Sequence, residues 1–247
     1  MPSTRMNSSN KTLVRGVSKR YGDTDVLVDI TIEIKPREFV SIIGQNASGK
    51  STLLKIIAGV IPATSGSVNV EGEISYMPQD HALLPWRTVE ENLYLPTDVR
   101  GDSRDSVRGR MHGLLGEFGL EQYAHAYPST LSGGTRQKIA LLRTALQEHP
   151  LLLLDEPFAA LDAITRLEMQ SWLQTLVQKI NASTLLITHD IREAIFFSDT
   201  IYVLAAGGTM KERIPVPLPR PRTHTLLTTP EALALEENLR KLLVHTV

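Results

Sequence analysis

The chain has 247 residues, 42% of them apolar, enough for one large domain, or one domain with a subdomain, around a complete core. Its 26 basic and 27 acidic residues nearly cancel and no Lys/Arg block appears, which argues against the polyanion-binding surface that a DNA or RNA partner demands. Without cysteine there are no disulfides and no thiolate metal sites, and the composition fits a reducing compartment.

The stretch from Met1 to Thr12 is polar and has no apolar leader pattern. The longest pure aliphatic run, Leu151 to Leu154, falls far short of the roughly 20 residues a membrane span requires. A membrane role is therefore expected to rest on docking to separate membrane-spanning chains. From Leu13 to Ile43 the pattern is β-rich, alternating through Val28-Asp29-Ile30-Thr31-Ile32-Glu33-Ile34 and then fully apolar through Phe39-Val40-Ser41-Ile42-Ile43. A helix is predicted from about Gly49 to Gly59, and a short strand pair near Ser67 to Tyr76 after the turn at Pro62 to Gly66.

Between about Met77 and Pro150 the strand signal vanishes. Helical periodicity runs from Ser103, a predicted N-cap, to Phe118, and again from Thr135 to Gln147. The α/β pattern resumes with a buried strand at Leu151 to Leu154, a helix from about Ala163 to Ile180, a strand at Thr184 to Ile187 and a last strand at Thr200 to Leu204. Strands alternating with helices imply a mostly parallel sheet. The prolines between Pro215 and Pro221 enforce an extended linker, and Thr229-Pro230 opens a closing helix with Leu235, Leu239, Leu242 and Leu243 on one side. The expected organisation is an α/β core over about 11–78 and 150–210, an inserted helical subdomain over about 79–149, and a linker and helix over about 215–247.

The strongest chemical signal is Gly44-Gln45-Asn46-Ala47-Ser48-Gly49-Lys50-Ser51, followed by Thr52, between a predicted strand and a predicted helix. Glycines let backbone N–H groups curl around phosphates, and the helix N-terminus adds partial positive charge. Lys50 then reaches the terminal phosphates, and the Ser51 hydroxyl can ligate Mg²⁺. The apolar run Leu151 to Leu154 ends in Asp155-Glu156. Strand C-termini in parallel sheets open onto the ligand crevice, so Asp155 is assigned to Mg²⁺ and Glu156 to the attacking water. Such an acidic pair also arises as an ordinary turn, and the phosphate loop in the same chain is what argues otherwise.

A third element, Leu131-Ser132-Gly133-Gly134-Thr135-Arg136-Gln137-Lys138, places a serine and two glycines at a helix start, a second anion cradle. Here the chain resembles the ATP-binding cassette ATPases, over roughly Leu13 to Gly208. The resemblance implies that Ser132, Gly133 and Gly134 bind the γ-phosphate of ATP held by an opposite protomer, so that a dimer is the working unit. It further implies that Tyr21 stacks on adenine, that Gln79 senses Mg²⁺ and the attacking water, that Leu161-Asp162 forms the dimer loop, and that His189 contacts the γ-phosphate. Thr135 departs from the glutamine usual after the signature glycines.

Leu84-Pro85-Trp86-Arg87-Thr88-Val89, Glu156 to Arg166 and Arg220-Pro221-Arg222 are similar to nitrate, sulfonate and taurine importer ATPases, with Ala159 where that group often has glycine. This resemblance implies ATP and Mg²⁺ as cofactors, permease subunits gripped near Trp86, an extracytoplasmic solute-binding protein acting indirectly, and a peripheral place on the cytoplasmic face of the inner membrane. An exporter cassette and a non-transport cassette protein stay open at this point; a kinase with the same phosphate loop would leave the Ser132-Gly133-Gly134 cradle unused.

Overall fold

The computed structural model describes residues 12–80, 82–180 and 182–244; residues 11, 81, 181 and 245–247 of the expected domain, and almost all of the polar N-terminal stretch, lie outside them. The elements in order are β1 (Thr12–Tyr21), β2 (Thr24–Ile34), β3 (Phe39–Gly44), α1 (Lys50–Ile57), β4 (Ser65–Asn69), β5 (Ile74–Met77), α2 (Val89–Arg100), α3 (Asp105–Glu117) and α4 (Gly133–Ala145). They continue with β6 (Leu151–Asp155), α5 (Ala163–Ile180), β7 (Ser183–Thr188), α6 (Ile191–Phe197), β8 (Thr200–Leu204), β9 (Met210–Pro215) and α7 (Pro230–Val244).

The main sheet has the order β5-β6-β7-β3-β8-β9, parallel except for the antiparallel edge β9. Its central strands are buried along their whole length, which is why Leu151 to Leu154 read as an unbroken apolar run. Leu151 and Leu153 face a core shared with α1 and the antiparallel sheet, while Leu152 and Leu154 face a core shared with α2 through α7. One run thus serves two cores by the two-residue period of a strand.

The smaller sheet, β2-β1-β4, is antiparallel. Ile30, Ile32 and Ile34 are buried while Asp29, Thr31 and Glu33 point away from that core. The strands near Ser67 to Tyr76 are not a pair. Residue Val68 of β4 opposes Val14 of β1, whereas Met77 of β5 lies beside Leu154 of β6 in the main sheet. The exposed side chains of β4 suit a sheet edge, and the buried Ser75 and Met77 of β5 suit a place against the core.

Four further features depart from the sequence reading. Strand β9 follows the expected last strand; its outward Lys211, Glu212 and Arg213 hide the strand signal and protect an edge from pairing with another chain. Helix α6 is only seven residues long, too short to show a period. Helix α2 begins with a capping box that the sequence carries openly: Thr88 Oγ1 accepts from Glu91 N (3.3 Å) and Thr88 N donates to Glu91 Oε2 (2.8 Å). Helix α3 starts at Asp105 with Arg104 at the N-cap position, so Ser103 is not the cap: it lies one residue earlier, its Oγ accepting from the Asp105 N–H (3.3 Å) as in a local turn.

Candidate nucleotide site

The glycine-rich loop joins β3 to α1 and packs against the start of β2. A Cβ on Gly49, whose φ is 95°, would stand 2.7 Å from the Val26 carbonyl and 2.8 Å from Leu27 Cδ2. Both the left-handed backbone and the close approach therefore require glycine. Gly49→Ala is expected to lower stability by about 1–3 kcal/mol, seen as an earlier urea midpoint, and to weaken nucleotide binding through the displaced loop. At Gly44 a Cβ would meet the Leu204 carbonyl at 2.6 Å and Ser48 Oγ at 2.7 Å, so the loop leaves the sheet with no room for a side chain.

Lys50 is buried, and its ammonium donates to the carbonyls of Gly44 and Gln45, both at 2.9 Å. Burial pushes its pKa down, opposed by the charges of Glu156 and Asp155. The Ser51 hydroxyl donates to Asp155 Oδ1 at 3.0 Å across the gap between α1 and the tip of β6. Burial pushes the Asp155 carboxyl up from its usual range, against the pull of that hydrogen bond. A buried carboxylate beside a hydroxyl, costly to leave uncompensated, is the hard-oxygen donor pair that Mg²⁺ accepts. Ser48 Oγ is buried within the loop with no hydrogen-bond partner among the described residues, a polar atom suited to a phosphate oxygen.

Glu156 has a φ of 46°, unusual outside glycine, although its N–H still extends the sheet by donating to the Ile187 carbonyl at 2.9 Å. Its Oε2 lies 3.1 Å from His189 Nδ1, at the end of β7. Phe158 holds the following loop from below, stacked on Phe197 with ring centroids 5.6 Å apart. The residues Val26, Asn46 to Thr52 and Glu156 line one open cleft of about 200 Å³. Among the described residues, no group of three or more His, Cys, Asp or Glu could hold a metal ion by itself.

The other expected site residues do not line this cleft. Gln79 is exposed two residues beyond β5, at the same sheet edge as Asp155 because β5 and β6 run side by side. Tyr21 ends β1 opposite Thr24, half exposed, with Lys19 Nζ 4.8 Å above its ring. Ser132 caps α4, its Oγ accepting from the Thr135 N–H (3.1 Å) and standing 2.8 Å from Thr135 Oγ1. Gly133 and Gly134 open the same helix, so these three residues are absent from the cleft formed by Lys50 and Glu156. Thr135 thus engages the signature hydroxyl itself.

A family model for the ABC transporter matches residues 27–159, more than half of the chain and the span from the start of the cleft to the loop after Glu156. The chain belongs to the ABC transporter family. This ABC chain is 40% identical over 243 residues to the aliphatic sulfonates import ATP-binding protein SsuB of Cupriavidus necator, an alignment covering 92% of this chain and 77% of the relative. It is also 40% identical to an SsuB 1 protein of Pseudomonas savastanoi pv. phaseolicola, with 96% and 97% covered. Among solved structures it is similar to the dimeric bacterial cassette MJ0796, with a TM-score of 0.73 and 29% identity over 84% of this chain and 99% of that one. A post-hydrolysis state of MJ0796 bound to ADP and Pi matches with the same TM-score and 28% identity, covering 84% of this chain and 99% of that one. The fold of this ABC chain is that of the cassette ATPases, and it is an ATPase subunit. No helix among the described residues is long and apolar enough to cross a membrane.

Two residues of the ABC chain that matter to the site gave no signal in its sequence. Val26 walls the cleft through its carbonyl, and Gln137 reaches from α4 to the carbonyl of Pro157, next to Glu156. The first acts through backbone and the second over 20 residues of chain, so neither leaves a local pattern.

Proposed function

We propose that the chain binds ATP with Mg²⁺ on the phosphate loop and hydrolyses it at the interface of two copies, driving import of a sulfonate or similar small oxyanion. In this reading residues 11–247 form one cassette, its helical part, about 79–149, set into the α/β core. The observation that carries the proposal is the convergence of Lys50, Ser51 and Glu156 on one cleft, with the Ser51 hydroxyl bonded to Asp155 beside it. The names of the relatives support sulfonate as the solute class.

The backbone N–H groups from Asn46 to Thr52 hold the phosphates, and Lys50 turns its ammonium from the loop carbonyls toward them. Ser51, Asp155 and Gln79 would hold Mg²⁺, which supplies charge neutralisation on the β- and γ-phosphates. Glu156 accepts the proton of the attacking water, His189 contacts the γ-phosphate, and Tyr21 stacks on adenine. Ser132, Gly133 and Gly134 of a second copy close over the γ-phosphate. ATP thereby favours the closed dimer, and hydrolysis releases it.

The membrane partners in this proposal are permease subunits on the cytoplasmic face of the inner membrane, fed by an extracytoplasmic solute-binding protein. Trp86, 71% exposed ahead of α2, is the anchor for that contact. Trp86→Ala is expected to leave ATP binding intact and to reduce permease-stimulated turnover about tenfold, measured as ATPase activity with and without the permease in proteoliposomes. In the same vesicles, uptake of ethanesulfonate, taurine and nitrate against an ATP-free control tests the solute class. Export of these solutes, or ATP hydrolysis indifferent to all of them, would overturn the import reading.

A further inference from the structure

His189 stands between two residues whose positions depend on one buried carboxylate. Glu193, near the start of α6 and 5% exposed, accepts from Thr188 Oγ1 (2.5 Å) and, through its other oxygen, from Gln170 Nε2 (3.2 Å). Thr188 Oγ1 in turn accepts from the Asp190 N–H at 3.0 Å. The chain of bonds from Glu193 through Thr188 to Asp190 closes around His189 and fixes the residue on either side of it. The His189 ring itself is half exposed, with Nδ1 directed to Glu156. Through Gln170 the same carboxyl is tied to α5, whose first turn is capped by Asp162, accepting from Ile164 N and Thr165 N at 3.1 Å.

Packing alone would place an apolar side chain here, because an ionised carboxylate is costly to bury. We propose that Glu193 is the positioning residue for His189, clamping the loop at the end of β7 and linking it to the dimer-loop end of α5. The inference rests on the reading of His189 as a γ-phosphate contact.

Glu193 faces Asp190 and Arg192 of its own helix region, Arg166 of α5, and His224 of the C-terminal segment, which share a cavity of about 260 Å³. Burial is the main influence and, with Asp190 adding to it against the hydrogen bonds and Arg166, pushes the carboxyl up to about 7. The charged acceptor therefore forms as pH rises through neutrality. Because the folded pKa is raised, the stability contributed by this group is complete below the ordinary carboxylate range, about 4.5, and is lost as pH rises through 7. Activity and stability consequently run in opposite directions with pH at this residue.

The test compares basal Mg-ATPase of the full chain, Glu193→Gln and Thr188→Val from pH 6 to 8.5, with melting temperatures alongside. Glu193→Gln is expected to lower kcat about tenfold at pH 8, with KM for ATP within about twofold, and the deficit should shrink below about threefold at pH 6. Its melting temperature should fall less than that of the parent between pH 6 and 8. Thr188→Val, similar in shape but lacking the hydroxyl, should lose turnover to the same degree and keeps the test if Glu193→Gln does not fold. A folded Glu193→Gln with kcat within twofold of the parent at pH 8, or with a deficit independent of pH, overturns the proposal. His189→Ala separates the causes of failure: retained turnover removes the role of His189 and the proposal with it. Turnover lost there but kept in Glu193→Gln removes the part of Glu193 alone.

Discussion

Glu156→Gln is expected to reduce kcat by about 10²- to 10⁴-fold while ATP remains bound, so that Mg-ATP converts the protein into a stable dimer. The shapes of the two side chains match, so the loop, the cleft and the contact to His189 keep their places. What is lost is a group able to take a proton from water. The backbone sets this position apart: a φ of 46° at a non-glycine residue costs on the order of 1–3 kcal/mol, and the Glu156 N–H is nevertheless held by the Ile187 carbonyl of the neighbouring β7. Light scattering and single-turnover hydrolysis on the same sample provide the check. A loss of less than tenfold would assign the proton to another group. ATP binding without dimer formation would move the question to Ser132, whose replacement by arginine should block closure.

Arg222→Met is expected to destabilise the fold by about 3–5 kcal/mol, more than most single substitutions. The guanidinium is 2% exposed and donates to five carbonyls: Ile195, Phe196 and Ser198 at the end of α6, and Val216 and Leu218 in the linker. Burial pushes its pKa down to about 10, which still leaves it charged at neutral pH. Methionine fills much of the volume but strands five acceptors away from water. Urea denaturation should show the earlier midpoint, and Arg222→Lys, with fewer donors and no planar fork, should recover only part of it. An Arg222→Met midpoint equal to that of the parent would mean that the linker repacks or admits water.

The Arg220-Pro221-Arg222 segment shows where sequence reading reached and where it stopped. Its pattern was visible as a resemblance, but the reason for Arg222 lies more than 20 residues away, in the carbonyls at the end of α6. The phosphate loop was legible because glycine, lysine and serine do their work within a few neighbouring residues, and Leu151 to Glu156 because a doubly covered strand needs an apolar run ending at the crevice. Strand β9 was hidden by its own edge charges, and α6 by its length. The separation of Ser132 from the Lys50 cleft within one chain could not be read from spacing at all. It was implied only by the family resemblance.

The hydrogen bond from Gln137 to the Pro157 carbonyl has a consequence for a paired assembly. In the proposed dimer one end of α4 would offer Ser132 to the neighbour's nucleotide, while Gln137, one turn along, grips the chain just after Glu156. On that proposal each subunit would bridge two reaction centres. Departure of phosphate at one centre would tug the bridge and alter the other, so the pair would behave as a single escapement with two teeth rather than as two independent engines.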